Sequence, residues 1–142
     1  MFTVATVSAV DVPETAHGHI AVEESVVLAQ AAAARPVLDN VEAIVRDYFS
    51  DIPVMAEVAR CESTFRHTIS DGSVLVGRVD NRDTGVMQIN TYYHLETAER
   101  LELDLWNIYD NMAYARDLYE RQGTQPWSAS RPCWGGHLAY GG

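Results

Sequence analysis

The chain is 142 residues long, with 47% hydrophobic and 21% charged residues, which suits one soluble globular domain with room for a short appendage. Its formal net charge of -10, with only 10 Lys and Arg scattered along the chain, excludes the clustered basic surface that nucleic acid requires. No apolar run approaches the roughly 20 residues of a membrane-spanning helix, and two cysteines, Cys61 and Cys133, exclude both a disulfide framework and a four-cysteine zinc site.

Residues 1–39 differ in composition from the rest: "MFTVATVSAV" is apolar, "DVPETAHGH" is polar with Pro and Gly, and "AVEESVVLAQAAAA" is Ala-rich. Arg35 and Pro36 punctuate the segment before the next element. It reads as an appended N-terminal segment, a linker or a pro-region. No Lys or Arg precedes the apolar run, so there is no clear signal peptide. "HGH" at His17 to His19 is too short for a metal site and no other ligand grouping stands out, so no metal or other cofactor is expected.

From Asn40 the helical period is strong. Val41, Ile44, Val45, Tyr48 and Phe49 recur on one face, with Asp39 or Asn40 available as N-cap. A second helix follows at once, with Asp51 as its expected cap and Pro53 in its first turn, and should run to about Ser63. Between Thr64 and Asn90 the period vanishes. There "SVLVGRVDNRDTGVMQI" offers a β-branched run, the polar turn "DNRD" and a second apolar run, which predicts a small hairpin. "YYHLETAERLEL" predicts a short helix, and Asp104 is positioned to cap a longer one with Ile108, Met112, Ala115 and Tyr119 on one face and Gly123 at its end. The remainder, "TQPWSASRPCWGGHLAYGG", is rich in Gly, Pro and aromatics and reads as a loop, with residues 135–142 as a Gly-rich tail. The predicted fold class is α+β, mainly helical, with one small β-hairpin.

The second helix carries an anomaly. Reading back from Glu62 by helical steps gives Ala59, Met55 and Ile52, so the carboxylate continues the stripe that should face the core. Burying a carboxyl against apolar groups disfavours its charged form and raises its pKa, which is what a general acid needs. A buried glutamate satisfied by an Arg or Tyr would look the same in sequence. Asp83, in "NRDTGVMQIN", lies across the non-helical insertion and supplies a second carboxylate. Two carboxylates in unlike surroundings can hold protonated and ionised roles at one pH. An Asp in a turn also caps its own backbone without any catalytic need.

"CESTF", an insertion and then "DTGVMQINTYYH" together resemble the lysozyme superfamily. "ES" and "GVMQI" are similar to motifs of the soluble lytic transglycosylase domain, and "DTGVMQIN" also resembles the stretch of animal-type lysozymes that carries the second carboxylate. The resemblance covers residues from about 41 to 134, so residues 40–134 are expected to form a lysozyme-like catalytic domain with the hairpin beside its cleft. It implies cleavage of the β-1,4 bond between N-acetylmuramic acid and N-acetylglucosamine in peptidoglycan, with Glu62 as catalytic acid and Asp83 as its partner. It further implies substrate contacts from Ser63 of the "ES" pair, from Gln88 and Asn90 on the cleft strand, from Met87 beside the acid, and from Tyr92 or Tyr93 against a sugar face. For Met87 and the tyrosines the plain alternative is core packing. Transglycosylase domains usually carry a later "AYNAG"-like motif; this chain has "PWSASRPCW" instead, with Trp127 as the candidate replacement wall.

Cys61, next to the acid, and Cys133 are candidates for a bridge tying the catalytic helix to the C-terminal segment, worth about 3 to 5 kcal/mol for so long a loop; in a cytosolic protein they would be thiols. The substrate class implies a cell-envelope or secreted, bacterial or phage protein, expected to be a monomer whose partner is the peptidoglycan glycan strand. After protonation by Glu62 either water completes hydrolysis or the muramic 6-hydroxyl closes a 1,6-anhydro ring. A non-catalytic module of a cell wall or lysis machine, binding glycan through the same cleft, is the alternative reading.

Overall fold

The computed structural model describes residues 40–138; the appended segment 1–39 lies outside the described residues, as do residues 139–142 of the expected Gly-rich tail. The described chain is mainly helical with one two-stranded antiparallel sheet. None of its helices is long and apolar enough to cross a membrane.

Helix α1, Val41–Tyr48, starts where Asn40 Oδ1 accepts a hydrogen bond from the Ala43 amide at 3.0 Å. Its Val45, and Phe49 just after it, are fully buried. Helix α2, Pro53–Ser63, follows across a short turn, with Met55, Ala56, Val58 and Ala59 buried against α1 and the C-terminal helix. Asp51 does not cap it. Its two carboxylate oxygens are instead held by Arg116 at 2.8 and 2.9 Å, and the same guanidinium donates to the Tyr48 carbonyl. A bidentate charge-assisted pair outweighs a single cap bond, and Pro53 removes one of the amides a cap would serve.

The stop of α2 is strained. Thr64 and Phe65 have φ of 54° and 56°, in the left-handed region that a β-branched residue adopts only at a cost. Thr64 is exposed, so Thr64→Gly should relieve strain without opening a cavity. The expected gain is about 1 kcal/mol after the extra freedom of glycine in the unfolded chain is subtracted. A denaturant midpoint at or below wild type would refute it.

The β region departs from the predicted hairpin. The ladder joins β1, Asp83–Thr84, to β2, Ile89–Asn90, across the turn 85–88, in the register Asp83 to Asn90 and Thr84 to Ile89. The "SVLV" run forms no strand; it meets β1 through a single bridge between Val76 and Thr84. It buries little apolar surface, since Val74 and Leu75 are only part-buried and Val76 is half exposed. "DNRD" is a turn, closed by the Asp83 amide on the Asp80 carbonyl at 3.1 Å, but it leads from a loop into β1.

Helix α3, Thr91–Arg100, is capped by Asn90, whose Oδ1 accepts from the Tyr92 amide at 3.1 Å. Helix α4, Ile108–Gln122, is capped by Asn107 rather than Asp104, because Asp104 is spent on the Trp106 amide. Gly123, at φ 61°, ends it. Beyond this point the expected loop is helical: a 3₁₀ helix, Gln125–Ser130, runs into α5, Arg131–Leu138, which passes through Gly135 and Gly136. The boundary expected at residue 134 therefore falls inside a helix. Burial of Trp127 and Trp134, Pro132 in the first turn of α5, and a Cys61–Cys133 disulfide overcome the weak helix propensity of the glycines.

Candidate active site

Glu62 sits in the last turn of α2, half-buried, on the apolar side that its spacing predicts. Burial pushes its pKa up, and the negative charge of Asp83 pushes in the same direction. Ser130, in the 3₁₀ helix, pulls it partly back down by donating its hydroxyl to Glu62 Oε1 at 2.6 Å. The disulfide fixes this approach from both sides, since Cys61 precedes the acid and Cys133 lies three residues past Ser130, with Cα atoms 6.0 Å apart.

Asp83 opens β1. Its Oδ1 accepts from Asn90 Nδ2 at 2.8 Å, directly across the ladder. The same amide nitrogen donates to Asp80 at 3.0 Å. Asp80 is held far below the ordinary carboxylate range by Arg82, which contacts it at 2.7 and 2.8 Å. The Arg82 guanidinium in turn lies 5.1 Å from the centre of the Tyr92 ring. Tyr92 and Tyr93 are each 70% exposed and meet edge to face at 4.9 Å, so they present a fixed aromatic surface to solvent.

Several expected substrate contacts are committed elsewhere. The Ser63 hydroxyl is buried and donates back to the Ala59 carbonyl at 2.9 Å, so it belongs to the helix end. Met87 is fully buried in the core. Trp127 is no open wall: it is 4% exposed and its indole N–H donates to the Met87 carbonyl at 3.0 Å. Gln88 lies in the turn rather than on the strand, at φ 49°, with its amide turned back on the Gly85 carbonyl at 2.9 Å. Asn90 is on β2, where capping α3 and bridging the two aspartates occupy its side chain. For the polar side chains among them a local backbone or carboxylate partner outcompetes an open position, as buried polar groups require.

Besides Ser130, four residues matter that the sequence did not single out. Asn111, fully buried in α4, accepts from the Met87 amide at 3.0 Å and donates to the Thr84 and Leu105 carbonyls at 3.0 and 2.8 Å. His67, also buried, accepts at Nδ1 from the Val86 amide and donates from Nε2 to the Trp106 carbonyl at 2.7 Å. That pattern fixes a neutral imidazole, and burial lowers its pKa in keeping. Gly85 is required between them: a Cβ there would come within 2.6 Å of Asn111 Nδ2 and 2.8 Å of His67. Trp134 donates to Ser130 Oγ and to the Trp127 carbonyl, each at 3.1 Å. Together these bonds hold the turn after β1 and the wall behind Glu62.

The described residues thus offer one carboxyl whose pKa is raised, a second whose negative charge acts on it and an exposed aromatic surface on α3. A separate depression of about 350 Å³, lined by Leu95, Glu99, Glu102, Leu103, Asp104 and Trp106, shares no residue with it. No group of three or more His, Cys, Asp and Glu side chains among the described residues is arranged to hold a metal ion. No family model, curated protein or solved structure matches this chain, so the chemistry of the site rests on its own geometry.

Proposed function

We propose that the chain is a glycosidase of the lysozyme-like superfamily, with a lysozyme-like fold, that cleaves the β-1,4 bond between N-acetylmuramic acid and N-acetylglucosamine in peptidoglycan. The observation that carries this reading is Glu62: a half-buried carboxyl whose pKa is raised by burial and by the negative charge of Asp83. Such a group protonates a glycosidic oxygen, and the developing oxocarbenium ion gains from a neighbouring carboxylate. Tyr92 and Tyr93 supply the flat apolar faces on which sugar rings stack. The disulfide supports action in the cell envelope or outside the cell, where such bonds persist. Clearing of purified cell walls, followed by mass spectrometry of the released muropeptides, tests the reading; intact walls with a folded, oxidised protein would refute it.

Two products are open to the same first step. Water addition needs Asp83 to activate or orient the nucleophile, whereas internal attack by the muramic 6-hydroxyl gives a 1,6-anhydro end without it. Asp83→Asn should therefore cost about 10²-fold or more in a hydrolase and far less in a transglycosylase. A reducing-end product with wild-type turnover in that variant would remove Asp83 from the chemistry.

The exposed Tyr92 and Tyr93 pair with Arg82 beside it also favours a second reading, a module that binds glycan without cleaving it. Retention on cell walls that are never cleared would select it.

A further inference from the structure

We propose that Ser130 is a positioning residue for Glu62 that acts as a switchable donor, giving its hydrogen to the Glu62 carboxylate in the ionised state and to the Trp127 carbonyl in the protonated state. The inference rests on the reading of Glu62 as a proton donor.

Ser130 Oγ stands 2.6 Å from Glu62 Oε1 and 3.1 Å from the Trp127 carbonyl oxygen, and shares the Trp134 indole N–H with that carbonyl, each at 3.1 Å. An indole N–H only donates, so one lone pair of Oγ is filled and the single hydroxyl hydrogen must choose between the two acceptors. A carboxylate is the stronger acceptor and takes it when Glu62 is ionised. When Glu62 is protonated, its own O–H donates to the remaining lone pair of Oγ, and the serine hydrogen turns to Trp127. Every donor and acceptor in the set is satisfied in both states. For transfer to a glycosidic oxygen the Glu62 O–H turns from Oγ to the substrate and the serine hydrogen turns from Trp127 to the carboxylate left behind; return of a proton from the attacking hydroxyl group reverses both rotations.

The rest of the structure holds this arrangement in place. Trp127 and Trp134 are buried on either side of Ser130, and the disulfide links the residue before Glu62 to α5. Charged neighbours do not provide the same control. Among the described residues the charge that acts on Glu62 is that of Asp83 on β1. Arg46 of α1 and Arg60 of α2 are paired with Glu57. The 3₁₀ helix, "QPWSAS", carries no charge, and Arg131 at the start of α5 is exposed.

The deciding experiment is an NMR titration of the full, disulfide-intact chain carrying ¹³C-labelled glutamate carboxyls, with the Glu62 signal assigned by Glu62→Gln. Ser130→Ala should raise the pKa of Glu62, because the ionised form loses its donor. Ser130→Thr should restore the wild-type curve, and Trp134→Phe should move it the same way by less. An unchanged curve in folded Ser130→Ala overturns the proposal. If that variant does not fold, the wild type decides: above the Glu62 transition, deuteration of the hydroxyl should shift the Glu62 carboxyl line, and no shift overturns it. None of these readouts needs activity, so failure to clear cell walls would count against Glu62 as a glycosidic acid and leave the switch to be judged by titration. With activity present, Ser130→Ala should lower kcat roughly tenfold with KM within about twofold, and move the alkaline limb of kcat/KM upward. A purely structural serine would lower activity without moving that limb.

Discussion

Glu62→Gln should reduce cell-wall clearing by about 10²- to 10⁴-fold, the range a positioned general acid contributes. The amide keeps the shape of the side chain and still accepts from Ser130, but it has no proton of the required acidity to give. The expected effect on stability runs the other way. Because the folded state raises the pKa of Glu62 above its ordinary 4.5, the ionised group opposes folding. Its favourable contribution is fully present below 4.5 and is lost as pH rises through the folded value. The glutamine variant should therefore match the wild type in acid and equal or exceed its thermal midpoint at neutral pH. This opposition of signs separates loss of chemistry from loss of fold. Wild-type clearing in Glu62→Gln would end the assignment, and a lower neutral-pH midpoint would show that the carboxylate is a structural partner.

The sequence carried much of the local structure, because caps and stripes are local. Asn40, Pro53 and Gly123 mark real helix limits, and the spacing from Ile52 to Glu62 placed the carboxyl on the correct face. The C-terminal third was less legible. "RPCWGG" opposes a helix by propensity, and only contact with α2 and the disulfide makes α5 form. Ser130 is 68 residues from the carboxyl it serves, a separation no periodicity encodes. Asp51 and Asp104 were plausible caps whose side chains found other partners, Arg116 through tertiary folding and the Trp106 amide two residues on. Asn111 is a different case: it lies between Ile108 and Ala115 on the same stripe of α4. The reasoning that isolated Glu62, a polar side chain where the pattern demands an apolar one, applied to it equally.

Asn111→Ala should be the most destabilising single substitution near the site, by about 3 to 5 kcal/mol. It strips one acceptor from the Met87 amide and two donors from the Thr84 and Leu105 carbonyls, all in a place without solvent access. Each orphaned backbone group costs about 1 to 3 kcal/mol, and the vacated volume adds to this. Against the 5 to 15 kcal/mol that holds a typical domain together, such a loss should lower the thermal midpoint by more than about 10 °C. Asn111→Asp tests the direction of the bonds, since its second oxygen would face two carbonyls where the amide donated; it should be at least as damaging as alanine. A change under about 1 kcal/mol in Asn111→Ala would mean that water or local repacking substitutes for the amide. The consequence reaches the candidate site through a chain of bonds. Asn111 holds Met87, the Met87 carbonyl holds the Trp127 indole, the Trp127 carbonyl accepts from Trp134, and Trp134 donates to the hydroxyl bound to Glu62. Loosening the first of these should therefore lower activity in molecules that remain folded, and Ser130→Ala should add little further loss in that background, because both substitutions act through the same support.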